Sequence, residues 1–349
     1  MLDLEKENKE RDGQTVHERP NDSRIYIIDE ASTINSRDMA DLVTQVARTG
    51  GRVIFTGDRA QLGGVERGKT FAQLQDNGMG TSYNQDIVRQ RNSKALLDTI
   101  EKYYGRDYEK AFDNISDKIV EKEDRGLRVG QFVSDYIEMK DRNADHIAVV
   151  MDNDTRHEAT SEIRDVLREK NKLGKEEIKI MQLENAKVDG AKKSMAQYYD
   201  KGMQVRFLED YKSLKVGKDE YYKVISSNTR EVLLSDGKKQ VKWKPDKVAG
   251  NREKGGVVAY KEREAGYSIG DSIRFKDRNN QEGYKNGTIG KVVDIKGGKL
   301  VIELEKSGKS ITLDPENMRH RHFEHGYLDT AFVAQGATGV TAQILAESY

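Results

Sequence analysis

The run Ile25-Tyr26-Ile27-Ile28-Asp29-Glu30-Ala31-Ser32 constrains this chain more than any other stretch. Four consecutive apolar residues read as a strand buried on both faces, as in a parallel sheet covered by helices. Two carboxylates follow at once. In doubly wound sheets ligands collect at the carboxyl ends of strands, so Asp29 and Glu30 are expected to stand at a site. The same pair also suits an acidic helix cap, which leaves its role open when it is taken alone.

The following segment adds a second strand end. Asn35 to Thr49 is a polar-apolar helical stretch closed by Gly50-Gly51. Arg52-Val53-Ile54-Phe55-Thr56 then forms a short apolar strand running into Gly57-Asp58-Arg59-Ala60-Gln61-Leu62. Two neighbouring parallel strands thus deliver polar groups at the same edge. An acid that holds a Mg²⁺ complex beside an acid that polarises water is the Walker B arrangement of a nucleoside triphosphatase. Gln61 can hydrogen-bond both a γ-phosphate and an attacking water, and so report nucleotide state. Its other reading is an ordinary polar loop residue.

Composition bounds the alternatives. A chain of 349 residues, 34% charged and 35% hydrophobic, is long enough for two or three domains with cores of their own. No apolar run approaches the roughly 18 residues of a membrane span, and the N-terminus has no signal-peptide pattern. Cysteine is absent, which excludes disulfides and thiolate metal sites and agrees with a cytoplasmic location. Formal net charge is zero, so contact with a nucleic acid must come from local patches.

The texture changes near the middle of the chain. Up to about Leu173 short apolar strands alternate with amphipathic helices, an α/β pattern. Asn92 to Ile115 is expected to be helical, His146 to Met151 a buried strand, and Arg156 to Lys170 a helix. From Tyr221 the period shifts towards two. There Lys223-Val224-Ile225, Val232-Leu233-Leu234, Asp236-Gly237 and Val241 to Pro245-Asp246 are repeated as Lys291-Val292-Val293, Leu300-Val301-Ile302, Ser307-Gly308 and Ile311 to Asp314-Pro315. The repeat predicts two small β-barrels of similar design.

Lys238, Lys239, Lys242 and Lys244 either form a solvated face or contact phosphates, and Lys239 and Lys242 are the local candidates for the second role. Trp243 and the pairs Tyr198-Tyr199 and Tyr221-Tyr222 are expected in barrel cores rather than as stacking platforms. His320, His322 and His325 lie close together but read as loop and interface residues more readily than as metal ligands. Gln335-Gly336-Ala337-Thr338 ends a semi-apolar segment in small residues. Backbone amides there can approach a phosphate closely.

In order, Asp29-Glu30-Ala31-Ser32, Gly57-Asp58-Arg59-Ala60-Gln61-Leu62, Ile87-Val88-Arg89-Gln90 and Gln335-Gly336-Ala337-Thr338 resemble helicase motifs II, III, IV and V of superfamily 1. The resemblance is to the RecD-like, 5′-to-3′ branch, and within it to the helicase part of TraI-type conjugative relaxases. It implies an α/β fold of RecA-like P-loop NTPase lobes, incomplete here, with an inserted pair of small SH3-like β-barrels. The implied division is residues 1–91 as the remainder of a first lobe, 92–185 as the start of a second, 186–325 as a 2B-type insertion, and 326–349 as the return to the second lobe.

By the same resemblance, Asp29 would hold Mg²⁺ and Glu30 would be the catalytic base. Gln61 would couple nucleotide state to DNA, and Arg89 would reach the γ-phosphate as an arginine finger. Gly57, Asp58 and Gly336 would border the ATP site. Gln335, Gly336 and Thr338 would contact single-stranded DNA. The implied activity is ATP-driven translocation during plasmid transfer, with a type IV secretion coupling protein as a further partner and no membrane insertion. No Gly-x-x-x-x-Gly-Lys-Ser/Thr, the Walker A loop of motif I, is expected in the chain. That motif is expected upstream of Met1 and motif VI beyond Tyr349, so the chain by itself is not expected to be a competent motor. Phe332 stands where the family commonly has histidine. The alternatives are a non-catalytic module for single-stranded DNA binding or secretion recognition, and a structural remnant.

Overall fold

The computed structural model describes residues 24–59, 68–84, 86–87, 93–142, 145–249, 256–335, 337 and 339–347. They fall into two compact units, 1–121 and 122–349.

In the first unit β1 (Ile25–Ile28) pairs in parallel with β2 (Arg52–Phe55), with Ile28 opposite Phe55. The crossover is α1 (Ser36–Thr49). Its Asn35 cap accepts the Asp38 N–H at 2.9 Å, and Gly50 ends it in the left-handed conformation that glycine adopts freely. Met39, Leu42 and Val46 form its buried face. Helix α2 (Thr70–Asp76) follows, then α3 (Lys94–Tyr104) and α4 (Tyr108–Asp113). The single helix expected over 92–115 is broken at Gly105-Arg106, where Arg106 has φ 62°. A side chain there cannot continue a right-handed helix.

One expectation for β1 fails. Ile25 and Ile27 are 58% and 69% exposed, and Ile54 on the neighbouring strand is 50% exposed. Among the described residues the sheet has two strands, and only the face bearing Tyr26, Ile28, Val53 and Phe55 is partly covered. Side chains alternate across a strand, so one-sided cover leaves every second isoleucine in water.

The second unit contains a small parallel sheet and two antiparallel ones. Helix α5 (Arg125–Asp141), β3 (His146–Val150) and α6 (Asn153–Glu169) form the start of the parallel layer. It is completed from the far end of the chain by β15 (Asp329–Thr330) and β16 (Thr341–Leu345), which flank β3. Val129, Val133, Ile137, Val150, Ile163 and Leu345 pack into its core.

Between them, β4 (Glu177–Asn185), β5 (Gln204–Phe207), β6 (Tyr221–Ser227), β7 (Val232–Ser235), β8 (Gln240–Trp243) and β9 (Val257–Ser268) make a sheet of order β4-β9-β5-β6-β7-β8. Then β10 (Ser272–Phe275), β11 (Ile289–Lys296), β12 (Lys299–Leu304), β13 (Ser310–Leu313) and β14 (Phe323–His325) make a sheet of order β13-β12-β11-β10-β14. Both are open: among the described residues the end strands do not pair, so neither sheet is the closed barrel expected from the sequence.

The duplication itself is deeper than the sequence repeat showed. Each copy has a bulge at the same place, between Val224 and Ser226 and between Val292 and Asp294. The copies also begin earlier, at Gly202 and Gly270, which have φ 94° and 99° and donate to the Val224 and Val292 carbonyls. Gln204-Val205-Arg206-Phe207 corresponds to Ser272-Ile273-Arg274-Phe275. The long strand β9 bridges the two cores. Its Val257 and Ala259 pack with Trp243 and Phe207, while its Ala265 and Tyr267 pack with Ile273 and Ile302.

Candidate functional site

The parallel register of β1 and β2 brings their carboxyl ends together. The Thr56 N–H donates to the Ile28 carbonyl and the Ala31 N–H to the Thr56 carbonyl, both at 2.8 Å. Asp29 is fixed from two sides. Its Oδ1 accepts the Thr56 hydroxyl at 2.6 Å and the Glu30 N–H at 3.0 Å. These two bonds, the hydroxyl first, hold its carboxyl below the ordinary aspartate range. Both go to one oxygen, and the residue is exposed.

Glu30 takes φ 51° and ψ 41°, left-handed for a non-glycine residue. Such a conformation costs about 1–3 kcal/mol and persists where surrounding bonds over-determine it. Here Thr33 supplies them, donating through its N–H at 2.9 Å and its hydroxyl at 2.7 Å to the Glu30 carbonyl. The turn sets Glu30 beside Asp29 instead of letting the strand run on.

Gly57 is needed for the approach of the two strand ends. A Cβ there would lie 3.1 Å from the Ala31 nitrogen and 3.2 Å from that of Ser32. Asp58 follows, accepting the Tyr104 hydroxyl at 2.5 Å, while Arg59 pairs with Asp76 at 3.0 Å. Asp29, Glu30 and Gly57 therefore meet where the two strands end, with Asp58 next along the chain; among the described residues no three acidic or histidine side chains gather as a metal-binding group. The donors fit Mg²⁺, which takes hard oxygen ligands from one or two carboxylates and keeps several waters. Asp29, oriented through one oxygen and exposed, is the residue that would hold it.

Gln61, Arg89, Gly336 and Thr338 lie outside the described residues. Gln335 closes the short helical turn Ala331–Ala334 in the second unit, next to the exposed Phe332. Lys242 is exposed on β8. Lys239 is engaged: its ammonium donates to the Lys215 carbonyl at 2.7 Å and sits 5.4 Å from the Tyr222 ring centroid.

Trp243 is fully buried, edge-on to Tyr199 and Phe207 at 4.8 and 5.7 Å. Tyr199 and Tyr222 are buried too, while Tyr198 is 37% exposed. His322 bonds the Tyr221 hydroxyl at 2.7 Å, and His325 reaches the Gly266 carbonyl at 3.1 Å and stacks on Tyr267. Burial pushes both imidazoles down to about 4. They are neutral packing groups.

The expectation that the chain holds no Gly-x-x-x-x-Gly-Lys-Ser/Thr fails. Gly63-Gly64-Val65-Glu66-Arg67-Gly68-Lys69-Thr70 does read Gly-x-x-x-x-Gly-Lys-Thr. A phosphate loop leads directly from its strand into its helix, whereas here β2 ends at Phe55 and α2 starts at Thr70. The Thr70 hydroxyl donates to Ser36 at 3.1 Å. Residues 63–67 lie outside the described residues, and Gly68 to Thr70 belong to the stretch that follows motif III. The Walker A letters are therefore present, ending at the start of α2.

The sequence matches the AAA domain family over residues 4–119. It is 22% identical over 360 aligned positions to the multifunctional conjugation protein TraI of Escherichia coli K12, covering 90% of this chain. Over most of its length the chain is TraI-like. It spans 20% of the length of that TraI protein. A shorter stretch of the TraI-like region, 22% of the chain, is 36% identical to the conjugal transfer protein TraA of Rhizobium radiobacter, of which it covers 7%. Among solved structures, a Bacteroides Pif1 helicase in complex with ADP-AlF3 and single-stranded DNA is 13% identical with a TM-score of 0.45, over 93% of this chain and 65% of that one.

Proposed function

We propose that this chain is a segment of an ATP-dependent, 5′-to-3′ DNA helicase of a conjugative relaxase, acting in the cytoplasm on single-stranded DNA during plasmid transfer. The observation that carries the proposal is the arrangement at the ends of β1 and β2: Asp29 fixed by Thr56, Glu30 turned beside it, and Gly57-Asp58 following the adjoining strand. Asp29 would hold Mg²⁺ with the nucleotide. Glu30 takes the proton of the attacking water, Gln61 links nucleotide state to DNA, and Arg89 supplies charge to the γ-phosphate. Bound Mg²⁺ offsets charge on the transferring phosphoryl group. The phosphate cradle comes from another stretch of polypeptide. DNA is held by Gln335, Gly336 and Thr338, with Lys242 and Lys239 as weaker contacts, and a type IV coupling protein receives the complex.

The test is ATP turnover, with and without single-stranded DNA, of the chain alone and of the chain joined to a phosphate-binding loop and an arginine-bearing motif VI. Turnover is expected only in the joined protein, stimulated by DNA and abolished by Glu30→Gln. DNA-stimulated turnover that survives Glu30→Gln overturns the proposal.

A further inference from the structure

Arg206 and Arg274 occupy the same position in the two copies of the repeat, each third in the first strand and each followed by a buried phenylalanine. Their partners differ in an instructive way. Arg206 is gripped within its own copy by Asp219, at 2.9 and 2.6 Å, and reaches forward to Asp277 of the second copy at 2.5 Å. Arg274 also reaches forward, out of the second copy, and forms an ion pair with Asp329. Asp329 lies in β15, opposite Val149 of β3, so it belongs to the parallel layer. Each copy therefore clasps the next module with the same arginine.

The second clasp is reinforced. Arg164 of α6 donates to both oxygens of the fully buried Asp271, at 2.9 and 3.0 Å, and the Tyr327 hydroxyl donates to Asp271 at 2.6 Å. These bonds tie the helix of the parallel layer to the entrance of β10 and to the residues just before β15. Planar guanidinium groups in two-point contact fix orientation as well as distance.

We infer that Arg274 is a positioning residue: by pairing with Asp329 it makes the antiparallel insertion and the parallel layer move as one body, and it sets the segment running from β15 to Gln335. Arg206 extends that body to the first copy. Nothing in local propensity requires an arginine at either place. The strand position alternates with buried apolar residues and would tolerate any side chain that reaches water, yet the Arg274 side chain is 10% exposed and that of Arg206 14%. Removing one partner leaves a partly buried charge unmatched, and the strand carrying it loses its anchor. A link to function follows only through the proposal that the 335–338 segment contacts DNA.

The test is hydrogen–deuterium exchange on the full chain, with Arg274→Met, Asp329→Asn, their combination, and Arg206→Met. Exchange in peptides covering 327–335 should rise by about tenfold or more in each Arg274 and Asp329 single variant. The double variant should rise no further, because both changes remove one pair. Arg206→Met should speed exchange around Asp277 and leave 327–335 unchanged. Unaltered exchange at 327–335 in Asp329→Asn, which changes almost no volume, overturns the inference, as does an additive double variant. If Arg274→Met does not fold, Asp329→Asn decides alone. DNA affinity measured on the same variants separates the two ideas. Loosened exchange with unchanged affinity for a single-stranded oligonucleotide keeps the clasp and removes DNA binding from the 335–338 segment.

Discussion

The two units of this chain solve the problem of a short strand in opposite ways. In the first, β1 and β2 have four residues each, and their outer face of Ile25, Ile27 and Ile54 stands in water. In the duplicated insertion, strands equally short enclose Leu234, Trp243 and Ile273 at 0% exposure. The proposed chemistry sits with the weakly buried pair, and packing sits with the repeat. The contrast fits a division of labour. Parallel strands aim polar groups at one edge, so Asp29 meets Thr56 there with little core behind them. Antiparallel hairpins satisfy their own neighbours and offer no such edge.

The largest effect expected from this division falls on turnover. Glu30→Gln in a protein supplied with a phosphate loop should lower DNA-stimulated ATP hydrolysis by roughly 10²–10⁴-fold, the usual contribution of a positioned base, without changing the unfolding midpoint. Next comes stability. Trp243→Ala should cost about 3–5 kcal/mol in denaturant unfolding of the second unit, whereas Ile27→Ala should stay within about 0.5 kcal/mol. A large loss from Ile27→Ala would show that the exposed face is covered in solution and would end the contrast.

Much of this is legible in the sequence. The strands at 25–28, 52–55 and 146–150, the helix capped by Asn35 and Gly50, and the turns at Gly237 and Gly308 all follow from local pattern. So does the meeting of Asp29 with Thr56, because register between sequential parallel strands leaves little choice. What is not legible depends on partners far along the chain. The two-sided burial expected of β1 needs layers that four isoleucine-rich residues cannot specify. The break at Arg106 is a positive φ without a glycine to announce it. Arg164 with Asp271 and Arg274 with Asp329 are charges that sequence texture assigns to the surface, and only the return of the chain buries them. The lysines illustrate the same limit, since Lys239 is bound to a carbonyl that no periodicity places beside it.

Smaller effects follow from the histidines. His322 and His325 are held neutral down to about pH 4, while in the unfolded chain they protonate near 6.5. The unfolded state therefore binds more protons between those values. Stability of the second unit is full above about 6.5 and falls as pH drops towards 4, by about 1.4 kcal/mol per pH unit for each histidine mid-window. Unfolding midpoints at pH 7.0, 6.0 and 5.0 should show this slope, and His322→Gln with His325→Gln should flatten it. The first unit should lack it. Smallest is the effect on DNA. Lys242→Glu should weaken single-stranded DNA binding more than Lys239→Glu, and should reduce the salt slope by roughly 0.7 for each phosphate left without its cation.

The most direct measurement places the metal. Mn²⁺ with ADP, added to the chain joined to a phosphate-binding loop and carrying labelled isoleucine methyl groups and backbone amides, broadens signals close to the bound ion. Ile28, Glu30, Ala31 and Thr56 should broaden first, Lys69 and Thr70 less, and the repeat isoleucines Ile273 and Ile302 not at all. Broadening centred on Lys69 and Thr70, or none at Ile28 and Thr56, would contradict the assignment of the nucleotide site to the ends of β1 and β2.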